Sequence, residues 1–310
     1  MIRYLKHEEI DFAKWDQCVR SSPANIIYAH SWYLNLVSPF WDALVSDDYE
    51  AVFPLTWNRK FGVDYLYQPY FTQQLGMFSN DPADTKLLGE FLIAIPKEFK
   101  LIEINLNAKN AIPKNVSFES SGRLTHILNL AQSHDQISSS YSDNLKRNLK
   151  KAMKEELTVN ESENFSFAIE LFKSVKSSVV PMDDYHYELL EKICDYAISN
   201  RYGKYFEVHS KDNKIISAGF FLISENQIIH LLSTSNPEGK NTGAASHLMD
   251  FVIREYADSN FSFDFEGSNI ESVARFYKSF GSHEVSYIHL RQNNLPWWLR
   301  FPFHFYKKLA

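Results

Sequence analysis

Cysteine is scarce in this chain, which has only Cys18 and Cys194 in 310 residues. The two residues lie far apart in the sequence and do not form the paired spacing of a metal site. Isolated thiols of this kind suit a reducing compartment, where disulfides rarely persist. The cysteine content therefore predicts no metal cofactor.

Long apolar runs are also missing. No window approaches about 18 uncharged apolar residues, the length that a membrane-spanning helix needs. The first residues, MIRYLKHEEIDFAKWDQC, lack the apolar segment of a signal peptide. We therefore expect a cytoplasmic protein with no stable membrane insertion.

The chain has no excess of positive charge either. Its 32 lysines and arginines are outnumbered by 38 aspartates and glutamates, so the formal net charge is −6. That balance gives no overall attraction to nucleic acid. Apolar residues, in contrast, are plentiful at 45% of the chain, 15% being aromatic. At this length, two domains with separate cores are expected.

The same order of predicted elements occurs twice along the chain. The first half contains two short helices, a hairpin, a strand, a helix and a strand, at 11–20, 30–37, 41–58, 65–68, 86–95 and 101–107. In the second half, Trp41 is matched by Tyr205, Leu88 by Leu248 and Glu103 by Asp264, at offsets of 160 to 164 residues. A register shared by several elements predicts an internal duplication of one α/β unit.

The second copy contains a strand, a glycine-containing loop and a helix. Residues 228–233 are apolar, Asn236-Pro-Glu-Gly interrupts them, and Lys240–Ala245 is predicted to open the next helix. Free N–H groups at a helix N-terminus, together with the helix dipole, favour phosphate. Such a loop is equally typical of a simple turn.

A basic helix is predicted between the two copies, with Ser142 or Asp143 as its N-cap. Its cations fall on adjoining rows three and four residues apart and form one ridge; they are Lys146, Arg147, Lys150, Lys151 and Lys154. The ridge is either a solvated helix face or a clamp for a polyanionic substrate.

Four passages together resemble the GNAT acyltransferase superfamily, and within it the double-domain Fem-type (FemABX-like) branch. They are EGKNTGAA (238–245), NIESVARFYKSFG (269–281), NLKRNLKKA (144–152), and AHSWYLNLV with LYQPYFTQQLG (29–37 and 66–76). Their order and spacing extend the resemblance over most of residues 25–290.

The resemblance implies an α/β (α+β) fold of two tandem GNAT-like domains, each a mixed, mostly antiparallel sheet flanked by helices. The expected boundaries are 1–135 for a degenerate N-terminal domain and 136–290 for a C-terminal domain. The aromatic and basic tail, 291–310, is expected to pack back on the first domain.

The implied chemistry is acyl transfer to an amine. Tyr277 matches the superfamily's general acid, although a tyrosine at the rim of the core would look the same. Asp264 and Glu266 are candidate bases because their spacing places them on one strand face; alternatively, one of them caps the helix near Ser268. His230, inside an apolar strand, is interpreted as a core histidine.

The implied binding residues form two groups. The donor group lies on the second strand–loop–helix and comprises Leu232, Ser233, Thr234, Lys240, Asn241, Thr242, Gly243, Ala244 and Ala245. The acceptor group comprises Gln68, Tyr70, Gln73 and Gln74 in the first copy, with Lys146, Arg147 and Lys150 on the basic helix. Glu103 and Asn105 have no tyrosine-bearing helix after them, so the first copy is expected to be catalytically blank.

The predicted function is N-acyl transfer from an activated donor, with an acyl-CoA favoured, to a small-molecule or peptide amine that could carry phosphate. One alternative is aminoacyl-tRNA-dependent addition to a peptidoglycan precursor. Another, from a different class, is a ligand-binding protein that keeps the fold without catalysis.

Overall fold

The computed structural model describes residues 1–114, 116–176, 182–267 and 270–297. Its described residues form two compact units, one of 1–123 with 286–297, the other of 124–285. The division falls inside a strand rather than near residue 135. Within the described ranges, no helix is both long and apolar enough to cross a bilayer.

The first unit begins with a strand and two helices and continues as strands on either side of one more helix. These elements are β1 (Ile2–Leu5), α1 (Phe12–Ser21), α2 (Ser31–Val37), β2 (Asp42–Ser46), β3 (Ala51–Leu55), β4 (Trp57–Lys60), β5 (Val63–Leu66), β6 (Phe78–Ser79), α3 (Thr85–Ala94) and β7 (Phe99–Asn105). Strands β1, β2, β3 and β6 form one antiparallel sheet. Strand β5 pairs antiparallel with β4 and parallel with β7.

The second unit is longer and opens on β8, which crosses the boundary between the units. The remaining elements are β8 (Glu119–Asn129), α4 (His134–Ser139), α5 (Asp143–Lys154), β9 (Thr158–Ser162), α6 (Ser166–Lys176), α7 (Asp184–Ser199), β10 (Gly203–His209), β11 (Ile215–Ile223), β12 (Gln227–Ser235), α8 (Pro237–Thr242), α9 (Ala244–Glu255), β13 (Ser262–Asp264), α10 (Glu271–Lys278) and β14 (His283–Asn293). Its sheet runs in the order β8-β13-β12-β11-β10-β9.

Two parts of the topology occur in both units. In the first, β1, β2 and β3 are antiparallel neighbours; in the second, β9, β10 and β11 are. The parallel crossover β5–α3–β7 then corresponds to β12–α9–β13. The predicted fold class, two tandem α/β units with mixed and mostly antiparallel sheets, is confirmed.

Each sheet receives a strand from the other half of the sequence. β8 follows the first copy in the chain but pairs with β13, where Leu128 lies opposite Phe263. β14 follows the second copy but pairs with β7, where His289 lies opposite Asn105. This exchange explains why the division falls within β8 and why residues after 286 belong to the first unit.

Each unit has its own apolar core. In the second, α9 covers the sheet with Leu248, Met249 and Val252, all fully buried. In the first, α3 does the same with Leu88 and Phe91. Ile253 is also fully buried, so one apolar face of α9 packs on the sheet.

Only the start of the predicted C-terminal tail is described. Residues up to Asn293 continue β14, and Leu295 is buried with Val63 and Leu101 of the first unit. Trp297 is 82% exposed. The tail residues from 298 onward lie outside the described residues.

Candidate active site

Strands β12 and β13 separate at the centre of the second unit. They pair in parallel only as far as Ile229 and Asp264, whereas β12 continues to Ser235. On the other side of β12, Leu232 lies opposite Phe220 and His230 opposite Phe221, so the residue between them bulges. The edge of β12 beyond Ile229 therefore has no β13 strand beside it.

Tyr277 reaches this point from α10. Its ring stacks on Phe265 with 5.0 Å between centroids, and its hydroxyl lies 3.4 Å from Nδ1 of His230. Burial, followed by the charges of Glu266 and Asp264, raises the pKa of the Tyr277 hydroxyl. The phenol is thus protonated at neutral pH, the form that a general acid needs.

Asp264 and Glu266 do not share a strand face, and that prediction is wrong. β13 ends at Asp264, and the next residues turn, with φ of +52° at Glu266 and +53° at Gly267. Asp264 Oδ1 accepts hydrogen bonds from Thr125 Oγ1 at 2.5 Å and from the Glu266 N–H at 2.9 Å. Burial raises the pKa of Asp264 to about 6, against the effect of both donors.

Neither carboxylate residue lies in the helix that follows. α10 begins at Glu271 with Ile270 at its N-cap position, and the apolar side chain of Ile270 makes no capping hydrogen bond. Ser268 and Asn269, which the sequence analysis placed in the closing motif, lie outside the described residues. Glu266 is half-buried beside Tyr277, whereas Asp264 is 2% exposed.

Three polar residues around Tyr277 were missed or undervalued in the sequence analysis. Thr125 and His126 come from β8, and their only signal is a polar pair inside the apolar run LTHILNL. Neither ring nitrogen of the fully buried His126 has a hydrogen-bond partner among the described residues, and its Nε2 lies 4.0 Å from Glu284. Burial lowers the pKa of His126. His230, interpreted as a core histidine, contacts the Tyr277 hydroxyl.

The segment from Lys240 to Ala245 is not a loop that opens one helix. Residues up to Thr242 belong to α8, and Gly243 has φ of +80° and joins α8 to α9. A Cβ on Gly243 would lie 2.8 Å from the Asn148 carbonyl oxygen of α5. Gly243 is therefore required by a left-handed turn and by close packing between helices.

The candidate donor residues of the strand lie where they were expected. Leu232, Ser233 and Thr234 all belong to the part of β12 that extends past β13. Thr234 is 6% exposed, and its Oγ1 has no hydrogen-bond partner within the described part of the chain. Asn241 is exposed on α8, and Ala244 is buried at the start of α9.

In the candidate acceptor loop of the first unit, glutamine side chains form hydrogen bonds with nearby backbone groups. Gln68 donates to the Thr72 carbonyl and accepts from the Asn105 N–H, and Gln74 accepts from the Ala108 N–H. These amides hold the loop at the end of β7, and recognition of a ligand by Gln68 and Gln74 stays a prediction. Gln73 and Tyr70 are half-buried.

Helix α5 begins as predicted, since Ser142 Oγ accepts from the Leu145 N–H. Lys146 is half-buried and donates to the Ser139 carbonyl. The other ridge cations, Arg147, Lys150, Lys151 and Lys154, are exposed. Ion pairs of the second unit use other lysines, such as Lys204, Lys211 and Lys278. Among the described residues, no carboxylate pairs with this ridge.

Within the described ranges, no group of three or more His, Cys, Asp or Glu residues is placed to hold a metal ion. Both cysteines are buried free thiols, and burial raises the pKa of each. The groups around the Tyr277 hydroxyl include the imidazole of His230 and the carboxylates of Glu266 and Asp264, which can exchange protons.

No protein-family model matches the sequence, and no curated protein sequence matches it. Solved structures do. The chain is similar to FemX, with 14% identity and a TM-score of 0.64 over 92% of this chain and 96% of that one.

Two further structures show the same fold. One is the C-terminal domain of a putative lysylphosphatidylglycerol synthetase from Agrobacterium fabrum, with 9% identity and a TM-score of 0.59 over 91% of this chain and 92% of that one. The other is L-PGS from Bacillus licheniformis, with 10% identity and a TM-score of 0.55 over 96% and 95%. The chain thus has the fold of FemX and these L-PGS structures, in agreement with its resemblance to the Fem-type branch.

Proposed function

We propose that this protein is an N-acyltransferase, which passes an acyl or aminoacyl group from an activated donor to an amine. The observation that carries the proposal is the position of Tyr277. Its protonated hydroxyl is buried at the point where β12 leaves β13, beside Glu266 and within 3.4 Å of His230. The shared fold supports the same conclusion.

In this mechanism the acceptor nitrogen attacks the donor carbonyl carbon, and a C–N bond forms. The bond from that carbon to the donor's sulfur or oxygen breaks, and Tyr277 gives its proton to the leaving atom. Glu266 takes the proton that the attacking amine loses. His230, whose Nδ1 lies 3.4 Å from the Tyr277 hydroxyl, would relay a proton from solvent to Tyr277, and Glu266 would release its proton to solvent.

The donor would lie along the open edge of β12. Backbone groups of Leu232, Ser233 and Thr234 face no β13 strand, and the orphaned Thr234 Oγ1 fits a polar group of a ligand. At the α8–α9 turn the exposed Lys240 would attract phosphate, with Asn241, Thr242 and the Gly243–Ala245 turn beside it. We favour an acyl-CoA donor, whose thioester supplies an activated acyl group.

An aminoacyl-tRNA donor is the second candidate, and the ridge on α5 favours it. Exposed Lys150, Lys151 and Lys154 lack carboxylate partners among the described residues, an arrangement suited to nucleic-acid phosphates. The acceptor would be an amine, including one on a peptidoglycan precursor. Gln68, Tyr70, Gln73 and Gln74 remain the proposed acceptor contacts in the first unit.

Ligand-dependent stabilisation tests the donor. Thermal unfolding would be followed with acetyl-CoA, longer acyl-CoAs and aminoacyl-tRNA, because a ligand that binds only the folded state raises the melting temperature. We expect an increase with an acyl-CoA that Lys150→Glu with Lys151→Glu leaves unchanged. An increase with aminoacyl-tRNA alone, abolished by that charge reversal, would establish the second candidate instead.

Catalysis is tested with Tyr277→Phe, which removes the proton donor and keeps the ring. We expect turnover to fall about 10²–10⁴-fold, as when a general acid is lost, while the donor-induced melting shift persists. Tyr256→Phe, at a half-buried tyrosine on the same unit, is the matched control and should retain activity. If the native protein binds donors yet transfers nothing to any amine, it is a binding protein.

A further inference from the structure

The turn after β13 contains a costly backbone conformation. Glu266 and Gly267 both have positive φ, +52° and +53°. For glycine this is ordinary, but a glutamate in the left-handed region is uncommon and strained unless its surroundings hold it there. A Cβ on Gly267 would lie 3.8 Å from the Tyr277 hydroxyl, so the turn passes directly beside the proposed acid.

The carboxylate of Asp264 accepts a hydrogen bond from this turn. Its Oδ1 accepts the N–H of Glu266, two residues ahead, at 2.9 Å. This is the local side-chain-to-backbone bond with which aspartate stabilises turns. The same oxygen accepts Thr125 Oγ1 at 2.5 Å. Thr125 is fully buried on β8, so the carboxylate is fixed from a neighbouring strand.

The carboxylate of Asp264 is poorly placed to act as a base. It is 2% exposed and receives two hydrogen bonds at one oxygen. Glu266 is half-buried, and of these two carboxylates its charge has the larger effect on Tyr277. Of the two carboxylates, Glu266 therefore has the stronger electrostatic interaction with the acid, and Asp264 holds the backbone N–H of Glu266.

We infer that Asp264 is a positioning residue whose carboxylate, fixed by Thr125, holds the left-handed Glu266–Gly267 turn and so places Glu266 beside the Tyr277 hydroxyl. The inference rests on the proposed function for its kinetic consequences. The geometry of the turn is independent of any substrate. Titratable groups around the turn are Glu266 itself, Tyr277 on α10, His230 on β12 and His126 on β8.

Two variants separate positioning from base catalysis. Asp264→Asn retains an oxygen that accepts from both Thr125 and the Glu266 N–H, but it cannot take a proton. Asp264→Ala removes the acceptor. We expect kcat within about 3-fold of native for Asp264→Asn and a loss of about 30-fold or more for Asp264→Ala, with KM unchanged in both. Equal losses for the two variants would overturn the inference, because a base fails in either form.

A substrate-free measurement makes the inference testable even if no transfer is found. The backbone amide of Glu266 is followed by NMR between pH 4 and 8. In the native protein its shift should titrate with a midpoint near 6, the pKa to which burial raises Asp264. In Asp264→Asn the titration should vanish while the amide stays protected from hydrogen exchange.

Asp264→Ala should lose that protection, and Thr125→Val should raise the midpoint of the titration, since a donor to the carboxylate is removed. An amide that stays protected in Asp264→Ala would show that something else holds the turn. A melting curve of each variant confirms that it is folded. Absence of activity in the native protein would refute the proposed function but leave the amide result to decide the role of Asp264.

Discussion

The two units place an acidic residue at the same point of the same topology and use it in opposite ways. Glu103 on β7 corresponds to Asp264 on β13. Glu103 pairs with Arg291 at 3.2 Å, whereas Asp264 has no cation among its described partners and accepts from a hydroxyl and a backbone N–H. A duplicated position can therefore become an ordinary ion pair in one copy and a buried, desolvated carboxylate in the other.

The residues two positions later, Asn105 and Glu266, also differ between the units. Asn105, which corresponds to Glu266, donates to the Gln73 carbonyl and contacts His289 Nδ1. All of its described side-chain hydrogen bonds are to residues of the first unit. The end of β7 thus carries an ion pair and an amide hydrogen-bonded to its neighbours, whereas the end of β13 carries two carboxylates near a tyrosine.

Among changes that compare the two units, removing the charge of Glu266 is expected to have the largest effect. Glu266→Gln should lower turnover about 10²-fold or more, because the amide cannot accept the proton of the attacking amine. Glu103→Gln is the matched change in the first unit and should leave turnover within about 2-fold. Steady-state kinetics of both variants measure this, and equal losses would show that the first copy is not blank.

The next largest effect is the loss of folding stability when a glycine with positive φ is replaced by alanine. In Gly243→Ala the alanine must adopt a positive φ, and its Cβ would lie 2.8 Å from the Asn148 carbonyl oxygen. We therefore expect the free energy of unfolding to fall by about 2–4 kcal/mol. Gly62 in the first unit has φ of +75° with nothing within 4 Å of its added Cβ. Gly62→Ala should lose only about 1 kcal/mol.

Denaturant unfolding of the two glycine variants gives both numbers. If they lose the same stability, the α5–α8 approach is looser than the structure shows. A smaller melting shift with the donor in Gly243→Ala would in addition connect this turn to donor binding.

The smallest effects concern stability and have opposite signs in the two units. Burial raises the pKa of Asp264 from 3.8 to about 6. The free energy of unfolding therefore falls as pH rises between these two values, and at neutral pH the buried ionised carboxylate lowers the stability of the fold. Asp264→Asn should therefore gain on the order of 2 kcal/mol at pH 7 and little at pH 4.

Glu103→Gln should instead lose up to about 1 kcal/mol, because it breaks a pair whose arginine is 44% exposed. Unfolding free energies at pH 4 and pH 7 check both signs. A destabilised Asp264→Asn at pH 7 would mean that its carboxylate is better compensated than its described contacts indicate.

The repeated order of elements, the cap of α5 and the short helix that carries Tyr277 could be predicted from the sequence, since each depends on local pattern. Four features could not. Strand alternation places Asp264 and Glu266 on one face, and only the positive φ at Glu266 reverses that. Thr125 comes from a strand 139 residues earlier than Asp264, so no spacing links them. The glycine at 243 resembles a loop residue although it joins two helices.

The remaining failure of sequence reasoning is the exchange of β8 and β14, which depends on pairing between distant segments. This exchange also constrains the order in which the chain can fold during synthesis. β14, the strand that pairs with β7 beside β5 and β4, includes His289, 184 residues after its partner Asn105. Until β14 leaves the ribosome, one edge of β7 has its backbone N–H and C=O groups unpaired, the usual template for unwanted strand addition. The half of the molecule that is made first is therefore among the last to be finished, and a nascent chain truncated before residue 286 would expose a sheet edge that the full-length protein covers.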